Sequence, residues 1–396
     1  MIRAGSGVAQ DQDAVEAALD AALIAQERLA LDHADLCIVF ATAGAYGAAH
    51  SMLHAVRRAT GARSVVGCSG TGVLTERVEY EVPEGADRAA VAVLAIASDE
   101  VRITPFLVDE TEGLTSAAGT VAGARAFEGT EGHGLVLVLP DAKGLEPGAM
   151  LQGVRDAGGP MPVVGGVAAG TPMFELYNTD AVQGAMTGLA LCGRKPVIGV
   201  AQGCAPIGEP FVITRGGDNM VREIAGRPAL AVLQRALEDL PGGEARLRAV
   251  GVFAGLAINP AKSPLERGDF LVRHLLGADQ KSGAIALSEP IHVGQTIQFQ
   301  VRDARAAADD LAETLGGVRA ALDGRRPGFG IYFNCAGRGQ GLFGTPNHDV
   351  TVIREHLGDL PLVGFFGNGE FAPVGGRNFF HTYTGVLVIV PATELS

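Results

Sequence analysis

Leu135-Val-Leu-Val-Leu-Pro-Asp141 and, one helix later, Pro162-Val-Val-Gly165-Gly166 decide how this chain is read. The first is a short apolar run bounded by turn residues, the pattern of a strand buried on both faces. A second such run, reached through a segment of helical periodicity, makes a strand–helix–strand crossover. The motif returns as Phe329-Gly-Ile-Tyr-Phe-Asn-Cys335 and Pro361-Leu-Val-Gly364-Phe365, with the two Val-Gly steps about half the chain apart. A third, weaker copy spans 35–72 and contains Val65-Val-Gly67. These echoes predict an α/β fold with mixed sheets (α+β in its ordering): two similar halves, each with strand–helix–strand units and additional antiparallel strands. The boundary is placed near Gly193, giving domains 1–193 and 194–396. The element order lacks the strict alternation of a Rossmann fold or a (β/α)8 barrel.

Outward from these runs, helices are expected over 11–31, 48–60, 114–127, 147–156, 304–322 and 348–358, and one after Arg227-Pro228. Strands are expected at 73–81, 89–97, 101–108, 184–192, 270–277 and 384–390, among others. The N-terminal residues Met1-Ile-Arg-Ala-Gly-Ser-Gly7 read as a polar lead into the first helix, without an apolar signal core.

The chain has 396 residues, 47% hydrophobic and 19% charged, which suits a sizeable core and excludes a disordered polymer. Its net charge of −13 and the lack of a basic run argue against nucleic acid as a partner. The five cysteines show no C-x-x-C spacing, so reduced thiols in a cytoplasm are expected rather than disulfides or structural zinc. No apolar run reaches the roughly 18–20 residues of a membrane span, so no membrane partner is expected.

Three constellations carry candidate chemistry. Asn334-Cys335-Ala-Gly-Arg338-Gly339-Gln-Gly341 is a glycine-rich loop at a strand end. There the backbone can approach a ligand, and Arg338 offers a planar fork for a carboxylate or phosphate. Gly364-Phe365-Phe366-Gly-Asn-Gly-Glu370 places a carboxylate after a glycine turn, where it can accept from an amine or from Arg338. His381-Thr-Tyr383-Thr384 opens the last strand with hydrogen-bonding side chains. Ten of the chain's sixteen Phe and five Tyr lie between Phe329 and Tyr383, as they would around an apolar-walled pocket or in a core. Each constellation also has a structural reading: a surface arginine, an internal ion pair and a core histidine.

Cys335-Ala-Gly-Arg-Gly339, Gly364-Phe-Phe-Gly-Asn-Gly-Glu-Phe-Ala-Pro373 and His381-Thr-Tyr-Thr384 resemble the signature of the C-terminal FIST domain. Ile198-Gly-Val-Ala-Gln-Gly203, Gly208-Glu-Pro-Phe-Val-Ile-Thr214 and Arg227-Pro-Ala229 resemble its beginning. Val66-Gly-Cys-Ser-Gly70 and Val164-Gly-Gly166 resemble the N-terminal FIST domain. The resemblance implies a sensory, ligand-binding module of signal transduction, with small molecules such as amino acids as ligands and a signalling protein as partner. It implies no settled catalytic residue, and no cofactor or metal is expected. The expectation is therefore a binding protein rather than an enzyme, with a ligand pocket drawn from Asn334, Cys335, Arg338, Gly339, Phe365, Phe366, Glu370, His381, Tyr383 and Thr384.

Two alternatives come from the residues themselves. Gly339-x-Gly341-x-x-Gly344 fits a dinucleotide fingerprint, although Thr345-Pro346-Asn347 delays the helix that such a turn should open. Cys335 with His381 makes a thiol hydrolase or transferase conceivable. His50 and His54, four apart on a helix, lack further ligands nearby and read as surface histidines.

Overall fold

The computed structural model describes residues 1–109, 114–115, 119, 134–238 and 251–392. The helix expected over 114–127 falls almost wholly outside them. The chain forms two compact units: Met1–Val200 with Leu311–Phe380 and Thr384–Ser396, and Ala201–Asp310 with His381–Tyr383. Mixed sheets and helices make up the fold, as the sequence predicts.

Three six-stranded sheets build the first unit. One runs β1 (Ile2–Asp11), β6 (Ala89–Ser98), β2 (Leu36–Thr42), β3 (Ser64–Gly70), β10 (Glu175–Tyr177), β11 (Asp180–Val182). The next runs β7 (Arg102–Asp109), β12 (Ala185–Cys192), β8 (Gly134–Pro140), β9 (Val163–Gly166), β23 (Glu370–Val374), β24 (Arg377–His381). The third runs β13 (Val197–Gln202), β25 (Thr384–Pro391), β21 (Pro327–Cys335), β22 (Leu362–Gly367), β4 (Gly72–Thr75), β5 (Glu79–Glu81). Position by position the three orders are the same. At the centre of each lies a parallel pair, β2–β3, β8–β9 or β21–β22. These are joined through α2 (Ala49–Thr60), α3 (Pro147–Gly158) and, in the third, α6 (Gln340–Phe343) with α7 (His348–Leu357). The weak copy at 35–72 is thus a full member of a set of three.

Each repeat also lends a hairpin to another. β4–β5, from the first repeat, docks antiparallel on β22 of the third. β10–β11, from the second, docks on β3 of the first. β23, from the third, docks on β9 of the second. The exchange closes in a cycle, so no sheet is completed by residues from one repeat alone.

The period-two alternation of buried strands explains how the sheets pack. Leu36, Ile38 and Phe40, Leu135, Leu137 and Leu139, and Phe329, Ile331 and Phe333 all enter one shared core. The intervening residues face the helices: Cys37, Val39 and Ala41 meet α1 (Ala14–Leu29) and α2, while Val136 and Val138 meet α3. The Val-Gly steps follow from the same geometry. A Cβ on Gly67, Gly165 or Gly364 would stand 1.7, 1.8 or 2.1 Å from the carbonyl oxygen of Val39, Val138 or Tyr332 across the parallel pair.

One strand departs from the sequence reading. Residues 2–11, expected to lead into a helix, form β1 and pair with β6 over their whole length. Their glycines are there for packing. A Cβ on Gly5 or Gly7 would lie 2.1 Å from a carbonyl oxygen of α1, whose buried face is almost entirely alanine. Asp13 caps that helix by accepting from the Val15 amide.

The second unit is an antiparallel sheet: β14 (Cys204–Gly217), β20 (Thr296–Arg302), β17 (Val252–Ala257), β18 (Phe270–Asp279), β19 (Ala284–Leu287), β15 (Met220–Ile224), β16 (Arg227–Pro228). β14 also pairs with β15, so the sheet closes on itself and loses most of its free edge. Its interior holds Ile213, Val221, Leu256, Ile285, Ile297 and Phe299, and α4 (Ala229–Glu238) contributes Leu230 and Leu233 to the same cluster. The chain returns to the first unit through α5 (Ala304–Leu322). Among the described residues no helix is long and apolar enough to cross a membrane.

Candidate functional site

β21 ends at Asn334-Cys335, and the loop after it turns back beneath α7. Arg338 is buried there. Its Nε and Nη2 donate to Asp349 at 2.8 and 3.2 Å. The same carboxylate accepts from the Tyr332 hydroxyl (3.0 Å) and the Asn334 amide (3.2 Å), and meets His348 Nδ1 at 2.9 Å. Desolvation alone would raise the Asp349 pKa, but the Arg338 guanidinium and these donors outweigh it and hold the carboxyl well below the usual carboxylate range. The Phe343 ring stacks on His348 at 3.6 Å and lies 5.3 Å from the Arg338 guanidinium carbon. Arg338 is thus committed to an internal ion pair.

β5 clamps this loop from the neighbouring hairpin. The Glu79 amide donates to Asn347 Oδ1 at 2.7 Å, Glu79 Oε1 accepts from the Val350 amide, and Glu81 Oε1 accepts from the Gln340 amide at 2.7 Å. Gly339 has φ +77°, and a Cβ there would sit 2.5 Å from the Glu81 carboxylate, so the turn and the clamp both require glycine. Burial, reinforced by Asp349, pushes the Glu79 carboxyl up to about 8.

The remaining predicted residues take different places. Phe365 is a core residue, 4.6 Å from Phe40 and 6.1 Å from Phe333 between ring centroids, and Phe366 is buried beside it in β22. Glu370 opens β23 fully buried. Desolvation drives its pKa well up, against the Thr384 backbone amide and the Arg338 charge. Cys335 Sγ accepts from the Gly337 amide at 3.4 Å. His381 and Tyr383 belong to the second unit. There the Tyr383 ring lies against Phe253, tilted by 50° with centroids 4.3 Å apart, and its hydroxyl meets the His274 ring nitrogens at 3.1–3.2 Å. Thr384 returns to the first unit at the start of β25. The glycine turn 339–344 opens α6, a helix of four residues, and α7 starts only at His348. His50 and His54 contact each other at 4.6 Å, with His50 Nδ1 2.8 Å from the Thr179 carbonyl oxygen.

A cavity of about 900 Å³ lies in the first unit, next to the predicted loop. It is lined at the carboxyl ends of parallel strands by Thr42, the last residue of β2, Gly70, the last of β3, and Ala336, just after β21, with Gly170 from the loop after β9. All three repeats contribute, at the end of an α/β sheet where ligands ordinarily bind. Gln340 and Gly341 of the predicted loop reach it, whereas Arg338 does not line it. One side is the segment joining β5 to β6, with Glu81, Glu84 and Arg88. Tyr46, 37% exposed, lines it from the 3-10 turn Ala43–Ala48, which packs beside Arg88 at Gly44. Glu84 and Arg88 make no ion pair among the described residues. Sequence reasoning missed this wall. Its only signals were Cys68-Ser-Gly-Thr-Gly72 and Pro83-Glu-Gly-Ala-Asp-Arg88, two turn-rich stretches far from the distinctive C-terminal motifs.

Residues 35–227 match the FIST N domain, and residues 229–373 match the FIST C domain. The chain belongs to the FIST family. FIST domains are associated with sensory roles in signal transduction. An uncharacterized protein of Mycobacterium tuberculosis is 34% identical over 394 residues, covering 98% of this FIST chain and 99% of its own. An uncharacterized protein of Mycobacterium bovis is 34% identical over the same length, covering 98% of each. A solved cyanuric acid hydrolase from A. caulinodans overlaps 48% of this chain and 71% of its own at 11% identity, with a TM-score of 0.26, too remote to argue from.

Proposed function

We propose that this FIST protein is a sensory binder of a small zwitterion of the amino-acid class, and that the ligand sits in the cavity at the strand ends of the first unit. One observation carries the reading. A glycine-rich hollow within the usual size range of ligand sites is lined by Arg88 and Glu84, and neither is in an ion pair among the described residues. A guanidinium is suited to a carboxylate and an exposed carboxylate to an ammonium group. On this reading Asn334, Cys335, Arg338 and Gly339 shape the site from below: the Arg338–Asp349 pair fixes the loop whose Ala336, Gln340 and Gly341 form the wall. Phe365, Phe366 and Glu370 support the strand ends beneath it. His381, Tyr383 and Thr384 stand where the chain leaves and re-enters the first unit, and on this reading they act outside the cavity.

A thermal-shift screen of metabolites on the full chain tests this. An amino-acid-type ligand at about 100 times its Kd stabilises the folded state by about 2.7 kcal/mol. It is recovered unchanged by mass spectrometry, and Arg88→Ala abolishes the shift without altering the ligand-free melting point. Turnover of the ligand that disappears in Cys335→Ala would instead make the protein a thiol enzyme.

A further inference from the structure

From the size and wall of the cavity we infer that its ligand is a short peptide of about three residues rather than a single amino acid; this rests on the reading that the cavity is the ligand site. A sphere of about 900 Å³ is about 12 Å across, while one extended residue spans about 3.5 Å and three span about 10 Å. A single amino acid would leave most of that space to solvent, whereas a tripeptide lying along the segment that carries Glu84 and Arg88 fills much more of it.

The chemistry of the wall points the same way. Much of it is bare backbone. Gly47 and Gly341 both line the hollow, and among the described residues nothing beyond their own chain surroundings lies within 4 Å of where a Cβ on either would stand. Neither has a positive φ, so backbone strain does not account for glycine at these positions. What glycine does there is keep the space free of a side chain, so that an approaching chain can come close to the helical turns Ala43–Ala48 and Gln340–Phe343. Thr171 adds a hydroxyl, and Tyr46 offers a half-exposed ring on which a ligand side chain can rest. Arg88 then takes the C-terminal carboxylate and Glu84 the N-terminal ammonium group.

Calorimetric titration of the full chain with alanine, dialanine, trialanine, trialanine amide and N-acetyl-trialanine decides it. Trialanine should bind at least tenfold more tightly than alanine, and each end-capped form at least tenfold more weakly than trialanine. Arg88→Ala should erase the difference between trialanine and its amide. Glu84→Gln should erase the difference between trialanine and its N-acetyl form. Gly341→Leu, which puts a bulky side chain into the hollow from a position whose Cβ meets nothing within 4 Å among the described residues, should abolish binding at an unchanged melting point. Equal affinity for alanine and trialanine overturns the inference and leaves the amino-acid reading in place. Trialanine binding that ignores both charge substitutions overturns it as well. If none of the five binds, but a metabolite does and Gly341→Leu blocks it, the peptide is wrong and the cavity is right. If that metabolite still binds Gly341→Leu at full strength, both fail.

Discussion

Asp349 is the residue on which the predicted site turns, and the sequence reading had not singled it out. Arg338 stood out from its motif, because a guanidinium in a glycine loop advertises anion binding. Its actual anion is eleven residues further on, inside a helix whose apolar spacing hides it, and spacing alone cannot show which acid a buried arginine will meet. The pair has a definite energetic signature. Asp349→Asn leaves a buried guanidinium without its charge partner, which should cost about 3–5 kcal/mol near neutral pH, read as a shift in the urea midpoint. The pH dependence has a fixed sign. The folded-state pKa of Asp349 lies below its unfolded value, so its contribution is present above that value and is lost as pH falls through the folded pKa. The gap between wild type and Asp349→Asn should therefore be widest near neutrality and narrow steadily below about pH 4. A gap that does not change with acid would mean that the charge is not what Asp349 supplies.

At the scale of elements, the strands of the three crossovers were legible because their apolar runs are uninterrupted and their ends are marked by Gly and Pro. α5 matches the expected bounds residue for residue, and β8 lies within one residue of the quoted run at each end. The elements that were missed share a physical cause. β1 carries glycines that a strand reading penalises, yet those glycines let α1 approach the sheet. β15 and β24 are five-residue strands in tight hairpins with β14 and β23, too short for an alternating pattern to announce them. The repeated Val-Gly step turns out to be a contact requirement of the parallel pair. Gly67→Ala, Gly165→Ala and Gly364→Ala should each cost at least about 3 kcal/mol, the upper end of overpacking, because the facing atom is a backbone carbonyl that cannot move aside. Gly316→Ala, on α5 with nothing within 4 Å, should instead stabilise by up to about 1 kcal/mol through helix propensity. Denaturant titrations of the four variants check this, and a tolerated Gly364→Ala would mean that the third crossover is not packed like the others.

The whole molecule shows why the cavity was harder to read than the fold. Its wall is drawn from all three repeats, so residues 42–47, 81–88, 170–172 and 336–341 meet only because hairpins are exchanged in a cycle. The same cycle bears on how the chain folds. The two family domains are consecutive in sequence, 35–227 and 229–373, but the sheets are not. A chain ending at Val200 would contain β4–β5 without β22 and β9 without β23, leaving one hairpin with no sheet to join and one parallel pair with an open edge. Isolated hairpins are at best marginally stable in water, and uncovered edges recruit other chains. The segment Met1–Val200 should therefore run as aggregates on size exclusion and melt without a cooperative transition, although it holds two of the three crossovers and most of their apolar residues. The intact chain should lose the secondary structure of all three sheets together, since each closes another. A monomeric, cooperatively melting Met1–Val200 would show that the exchanged strands are decorations on self-sufficient repeats, and a ligand wall built by three of them would then have no structural reason to move as one.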